Sequence, residues 1–216
     1  MKNIALAAAF LFASAATLAV LPTPRALMIA QAAPADPNQL SAQEIQRAIH
    51  GEGKDHWIEI EDMGVTTANG SGTPKVLLFM PEAVLAMKSE SAKKQFLAYE
   101  PTDEEKRRSL TISAHGFVGK TLREGCASIT RVILLSDASG AVVKEAYLSE
   151  PLAETRQNGA RAAHCQALRT KFTLLDVQTV KAAAPDGEFL VAVFSGAVNT
   201  KMYKIKKKHQ AKLGLR

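Results

Sequence analysis

The sequence lacks the common signatures of catalysis. It contains no Gly-x-Ser-x-Gly nucleophile elbow, no His-Glu-x-x-His zinc motif and no repeat of fixed period. Its closely spaced acids Glu59 and Glu61 alternate with isoleucines, which indicates the wet face of a strand and not a catalytic carboxylate pair. We therefore predict no catalytic residue and no cofactor, and a non-enzymatic binding or scaffolding domain is the leading hypothesis.

Long apolar runs are also absent, except at the start of the chain. Lys2 precedes a run without charge over residues 4–21, and the small-residue sequence AQA at 30–32 forms a cleavage site. This order is typical of a secretory signal peptide, so we expect residues 1–32 to be removed and the protein to be secreted or periplasmic. An uncleaved anchor is the alternative, because a membrane-spanning helix needs about 20 residues. After signal removal we expect no transmembrane span.

Cysteine is scarce, with Cys126 and Cys165 as the only two in the chain. An even number of cysteines in an exported protein indicates a disulfide, because the compartments outside the cytoplasm are oxidising. We therefore predict a bond between these two residues.

Acidic residues are missing from the C-terminal end. The whole chain has a net charge of +6, and residues 201–216 hold seven basic residues and no acid. One hypothesis is attachment to a polyanion or an anionic membrane, and the alternative is a solvated edge strand whose lysines prevent aggregation. The lysines proposed for polyanion binding are Lys204, Lys206, Lys207, Lys208 and Lys212.

The chain divides by composition after the signal. Residues 33–40 hold two prolines and little to pack, which predicts a leader without fixed structure. Residues 41–216 are expected to form a single exported domain. Its parts are a mixed α/β region over 41–109, a β-rich region over 110–208 and a basic tail over 209–216.

Two helices and two strands are predicted in the mixed region. Ser41 and Glu44 have the spacing of a capping box, which predicts a helix over 42–49. Pro81 is suited to the first turn of a second helix over 82–98. Alternating and β-rich stretches predict strands over 57–61 and 75–80.

The β-rich region is predicted to contain about six strands separated by turns. Asp137 and Gly140 begin and end a turn-forming cluster, which predicts a hairpin over 129–148. A loop is expected around Pro151 and Asn158. Residues 110–115 alternate between apolar and polar side chains and predict a half-buried strand, whereas 189–194 is apolar on both faces and predicts a central strand. The other predicted elements are strands at 171–177 and 202–206, the second of them an edge strand, and a turn at 185–187.

This spacing of strands predicts antiparallel pairing, because parallel strands need long crossover connections. We expect a mainly β fold, an antiparallel β-sandwich of immunoglobulin-like or similar topology, with the two helices in its N-terminal half. The alternative is an α+β layer with helices across one sheet face. No family pattern is identified, and the layout is typical of exported bacterial domains that bind a protein or another envelope component.

A short polar loop raises the possibility of a metal site. His50, Glu52, Asp55 and His56 offer imidazole and carboxylate ligands of the kind that zinc or copper binds, and His115 could join them. The spacing matches no standard metal loop, so solvated loop residues are the competing interpretation. A metal-binding protein or metal-dependent enzyme is therefore the second hypothesis.

Residues 114–121, AHGFVGKT, satisfy a loose phosphate-loop pattern after a predicted strand. Such a loop needs a helix that begins at its lysine, so that free N–H groups hold the phosphates. The residues that follow leave room for about one helical turn, and Ala114 replaces the first glycine. We therefore expect no nucleotide binding, and we regard nucleic acid as an unlikely partner.

Overall fold

Antiparallel β-strands make up most of the chain in the computed structural model. The structure describes residues 36–61, 75–115, 117–118, 126–127, 129–158, 161–195 and 199–215, without the side chains of 61, 117–118, 126–127, 154–158, 161–166, 195 and 199. Two larger sheets, a two-stranded ladder and four helices occur in this part of the chain. The predicted signal peptide, 1–32, lies outside the described residues.

The first sheet has five strands, all antiparallel to their neighbours. In spatial order they are β1 (Trp57–Glu61), β2 (Lys75–Phe79), β3 (Ser109–His115), β9 (Arg161–Thr173) and β8 (Leu148–Asn158). Predicted strands over 57–61, 75–80 and 110–115 are thereby confirmed. In β3 the outward residues Thr111 and Ser113 are buried as well, whereas we expected a half-buried strand.

The second sheet has four antiparallel strands, in the order β11 (Asn199–Ile205), β10 (Phe189–Ser195), β6 (Ile129–Leu135) and β7 (Val143–Glu145). The remaining ladder pairs β4 (Phe117–Val118) with β5 (Cys126–Ala127). The expected hairpin is present as β6 and β7, and Asp137 stabilises its turn by accepting bonds from the N–H groups of Ser139 and Gly140. Strand β10, which is apolar on both faces, is central in this sheet, and β11 is an edge strand, as the sequence predicts.

One hydrophobic core is built from the inward residues of both sheets. Alternation along each strand directs every second side chain to the same face, so apolar residues two apart meet in this core. Burial of each large side chain stabilises the fold by about 1.5–3 kcal/mol. Its fully buried members include Leu78, Leu110, Ile112 and Phe172 from the first sheet and Leu134, Phe189, Val191 and Ile205 from the second.

Helices α1 (Ala42–Ile49) and α2 (Pro81–Lys94) pack against each other. The capping box of Ser41 and Glu44 is present at the start of α1. Helix α2 ends earlier than predicted, because Phe96 adopts a left-handed φ of 56° and its side chain is 98% exposed. Residues 36–40, expected to lack fixed structure, are bonded to the chain before β3, and Leu40 is 5% exposed.

Helix α3 (Leu174–Ala183) replaces the end of the strand predicted over 171–177. Thr173 ends β9 and caps the helix, since its Oγ1 accepts a hydrogen bond of 3.1 Å from the N–H of Asp176. This local cap outweighs the strand propensity of the following residues. Val177 and Val180 of α3 are buried in the core.

Helix α4 (Lys207–Leu213) replaces the basic tail predicted over 209–216. Leu213 is fully buried in the core, and Gln210 bonds to the backbone oxygens of Gly187 and Ile205. Gly214 ends the helix with a left-handed φ of 73°, a conformation that glycine adopts without steric cost. The end of the described chain is therefore anchored.

Strand β8 replaces the loop predicted around Pro151 and Asn158. It pairs with β9 along its whole length, and it lies at the edge of the first sheet. An edge position accommodates Pro151 because the missing N–H need not serve a second neighbour.

Candidate functional site, a cleft on the first sheet

A cleft of about 450 Å³ lies on the outward face of the first sheet. Its floor follows one cross-strand row, in which Phe79, Thr111 and Lys171 pair directly across β2, β3 and β9. These residues point away from the core because their chain neighbours Leu78 and Phe172 point into it. The volume falls in the range of about 300–1,000 Å³ that is typical of small-molecule sites.

Helix α2 forms the apolar wall of the cleft. Val84 and Met87 are three residues apart, so they lie on the same side of the helix. Met87 is 42% exposed, which leaves apolar surface available beside Phe79 on the floor. A ligand with an apolar part could bury that surface.

Three ion pairs form the polar side of the cleft. Lys171 donates a bond of 3.1 Å to Glu104, which also accepts a bond of 2.8 Å from the hydroxyl of Tyr147. Lys88 pairs with Glu105. The third pair, Arg169 with Glu150, is loose, with a distance of 3.9 Å and side chains that are 42% and 47% exposed.

The carboxylates of the short turn 102–105 are held ionised. Burial by itself would raise the pKa of Glu104, but the bonds from Tyr147 and Lys171 outweigh it and keep this pKa below its ordinary value. For Glu105, burial is likewise outweighed by Lys88 and by the N–H of Thr102, so its pKa is also lowered. General acid catalysis by a carboxyl group needs the opposite shift, toward neutral pH.

A serine and histidine pair occurs on the same face but outside the cleft. Ser113 Oγ and His115 Nε2 are 3.1 Å apart, which is within hydrogen-bond distance. Ser113 is 5% exposed and does not line the cleft, so its hydroxyl is not presented to a substrate there.

Only two of the four predicted metal ligands in the 50–56 loop lie in the same cavity. Glu52 and His56 line a small cavity of about 170 Å³ together with Glu44 and Glu82, whereas His50 and Asp55 are not part of its lining. Within the described ranges no three His, Cys, Asp or Glu residues lie together as metal ligands would. His115 is on β3, where its Nε2 lies within hydrogen-bond distance of Ser113 Oγ.

The predicted lysines lie at the junction of β11 and α4. Lys204 pairs with Glu188 at 3.0 Å, whereas Lys206, Lys207 and Lys208 are exposed and have no carboxylate partner among the described residues. Lys212 lies apart from them, with its ammonium 5.4 Å from the ring centre of Trp57. Four of the five lysines therefore lie at this junction, and Lys212 lies farther along α4.

Burial and the positive charge of this junction together lower the pKa of the neighbouring His209. Burial, followed by the charges of Lys208 and Lys206, holds the pKa of His209 below its ordinary value. The imidazole is thus kept mostly neutral at physiological pH.

Two further predictions concern residues that are described in part or not at all. Strand β5 carries Cys126 and contacts β9, which carries Cys165, but the cysteine side chains lie outside the described set, so the disulfide stays a prediction. In the phosphate-loop-like run, residues 116 and 119–125 also lie outside it.

The comparisons supply no relative. No family model, curated protein or solved structure matches the chain. No helix in the described ranges has the length and apolar character needed to cross a membrane.

Sequence reasoning missed the residues of the cleft. The sequence predicts a solvated charged connection over 102–109, with room for one helical turn capped by Thr102. Thr102 and Glu105 have the spacing of a capping box and exchange two bonds, of 2.8 and 3.3 Å. The pairing of Glu104 with Lys171 could not be read from the sequence, because it depends on how β3 and β9 align.

Proposed function

We propose that the protein is an exported, non-enzymatic binding domain, and that the cleft on the first sheet receives a small amphiphilic anion. Secretion or transfer to the periplasm rests on the signal-like N-terminus, which precedes the described residues. The two sheets over a common core support a β-sandwich, and an immunoglobulin-like topology stays a prediction. A protein or another envelope component as partner also stays a prediction.

The observation that carries this proposal is the pairing of an apolar wall with a loosely bound guanidinium in one concavity. Phe79, Val84 and Met87 offer apolar surface, and Arg169 lies with Glu150 at 3.9 Å. Arginine has five N–H donors in a fixed fork that matches a carboxylate, so a loose pair leaves donors for a ligand. In the same cleft the pKa values of Glu104 and Glu105 are lowered, which favours binding over acid catalysis by these two carboxyl groups.

Calorimetric titration with octanoate, and with 1-octanol as a neutral probe of the same chain length, tests the proposal. We expect octanoate to bind more tightly than octanol. In Arg169→Gln the affinity for octanoate should fall about 10- to 100-fold, because a hydrogen bond to a charged group contributes about 1.5–3 kcal/mol. The affinity for octanol should change little.

Arg47→Gln is the matched control. Arg47 is also half exposed and pairs loosely with a carboxylate, Glu52 at 3.5 Å, but it does not line the cleft. Its loss should leave octanoate binding unchanged. Absence of octanoate binding to the wild-type protein, or equal affinities in wild type and Arg169→Gln, would contradict the proposal.

The metal hypothesis receives less support from the geometry. Glu52 and His56 share a small cavity, but the other two predicted ligands do not join them. Stoichiometric metal in the purified protein that is lost when His50 and His56 are both changed to alanine would favour it.

A further inference from the structure

The outward face of the second sheet differs from the cleft face in its chemistry. Ile133, Leu135 and Ala192 form a small hydrophobic cluster there, separate from the core and itself buried, and the partly buried Leu190 and Phe194 pack against it. At the two margins of this face, Met202 is 50% exposed and Val143 is 45% exposed. Strand register explains the arrangement, since Met202 pairs with Ala192 on one side of the sheet and Val143 with Leu135 on the other.

The lysines continue this apolar face at its β11 edge. Lys204 pairs with Leu190 across the strands and is two residues from Met202, so it lies on the same face. Lys206 follows in extended conformation, and Lys207 and Lys208 begin α4. We call the exposed lysines 204, 206, 207 and 208 the lysine corner.

Few acids offset the charge of the lysine corner. Glu188 pairs with Lys204 and also accepts a bond of 3.1 Å from the N–H of Lys207, and Asp186 is exposed in the adjoining turn. On the sheet face itself Glu145 is already paired with Arg131. The remaining surplus of positive charge thus borders half-exposed apolar side chains.

We propose that the outward face of the second sheet, with the lysine corner, docks on an anionic lipid surface. The lysines would lie at the phosphate groups, and the half-exposed side chain of Met202 would enter the interfacial region. Mixed apolar and cationic surface is what peripheral membrane binding requires, since each contribution alone gives weak attachment. A soluble polyanion such as nucleic acid would need the charge but would gain nothing from the apolar face.

Vesicle sedimentation tests the proposal with the purified protein, whose N-terminus is first determined by mass spectrometry. Vesicles of phosphatidylglycerol and phosphatidylcholine should retain the protein, and vesicles of phosphatidylcholine alone should not. Retention should weaken as salt is raised, because added ions screen exposed charges beyond about 10 Å at 0.1 M. Retention by both vesicle types to the same extent would overturn the proposal.

Changing Lys206, Lys207 and Lys208 together to glutamine should weaken binding to the anionic vesicles about a hundredfold, since each lysine near such a surface contributes about 1 kcal/mol. The matched control changes Lys54, Lys93 and Lys94 to glutamine. These three are also exposed and their loss removes the same charge, but they lie in and beside α1 and α2. Equal affinity of the two triple variants would contradict a localised site.

The apolar contact is tested separately, by Met202→Trp in a Trp57→Phe background. The emission of the introduced indole should shift to the blue on addition of anionic vesicles, because the side chain leaves water. With inorganic polyphosphate as a soluble polyanion, no shift is expected. Binding to both probes without a blue shift for either would refute the membrane assignment and favour a polyanion site.

Discussion

The outward faces of the two sheets differ in how their charges are matched. On the first sheet each cation of the cleft has a carboxylate partner, as in the pairs of Lys171 with Glu104 and Lys88 with Glu105. On the second sheet the face is apolar, and three lysines beside it have no carboxylate partner in the part of the chain that the structure describes. Both faces belong to sheets that share one core, so the core does not dictate their chemistry.

The comparison indicates that the paired charges of the first face contribute to stability, whereas the unpaired lysines beside the second face are available for binding. Ion pairs hold the side chains of a face in place and cancel most of the electrostatic field of that face at long range. Such a surface suits a cleft for a small ligand. Unpaired cations add little to the fold and attract large anionic partners.

Loss of the predicted disulfide should have the largest effect on stability. A bond between Cys126 on β5 and Cys165 on β9 would close a long loop, which adds about 4 kcal/mol on the chain-entropy model. Changing both cysteines to serine should therefore lower the free energy of unfolding in guanidinium by about that amount. Two alkylatable thiols in protein from an oxidising compartment would show that the bond does not exist.

Acid should weaken the paired charges next. Arg108 donates bonds of 2.7 Å to both oxygens of Glu44, and Ser41 donates two more. Although burial acts to raise the pKa of Glu44, these bonds lower it from 4.5 to about 2. The stabilisation is thus complete above pH 4.5 and is lost as the pH falls toward 2, and we expect it to be about 1–2 kcal/mol after solvent screening.

The measurement is the free energy of unfolding at neutral pH and near pH 2 for wild type and Arg108→Gln. The variant should lose part of this pH dependence, because its carboxylate loses the guanidinium partner but keeps the bonds from Ser41. Arg47→Gln removes a half-exposed pair at 3.5 Å and should leave the dependence intact. If Arg108→Gln retained the wild-type pH dependence, the pairs on this side would not carry the stability assigned to them.

The smallest effect is expected at the lysine corner. Lys208 lies in the first turn of α4, where a cation opposes the helix dipole, so Lys208→Glu should raise the free energy of unfolding by about 0.3–1 kcal/mol. The same variant should bind anionic vesicles more weakly, which separates loss of binding from loss of folding. Lys94→Gln, which removes a pair with Glu90 at 2.8 Å near the end of α2, should instead destabilise slightly. Destabilisation by Lys208→Glu would mean that this lysine has a structural partner.

Local patterns account for the elements that the sequence predicts correctly. The box of Ser41 and Glu44 fixes the start of α1, and the turn at Asp137 fixes the hairpin of β6 and β7, because both depend on bonds between residues close in the chain. Helix α3 carried a similar signal in Thr173 and Asp176 that strand propensity obscured. Its omission was an error of weighting, since the cap was readable.

Long-range pairing accounts for what the sequence could not predict. The alternation of β3 predicts that Thr111 and Ser113 face solvent. They are buried instead, because β3 is an inner strand with α2 against it. Phe79, Thr111 and Lys171 become neighbours only when three distant strands align in register. Nothing in a local window specifies that alignment.

The mainly β composition, the hairpin, the central apolar strand and the cationic C-terminal end can all be read from the sequence, since each follows from neighbouring residues and their alternation. Tertiary packing is what places the lysines beside Met202 on the second sheet and puts Arg169 in one cleft with Met87. Those juxtapositions arise from strand order and helix docking, which bring together residues that are remote along the chain.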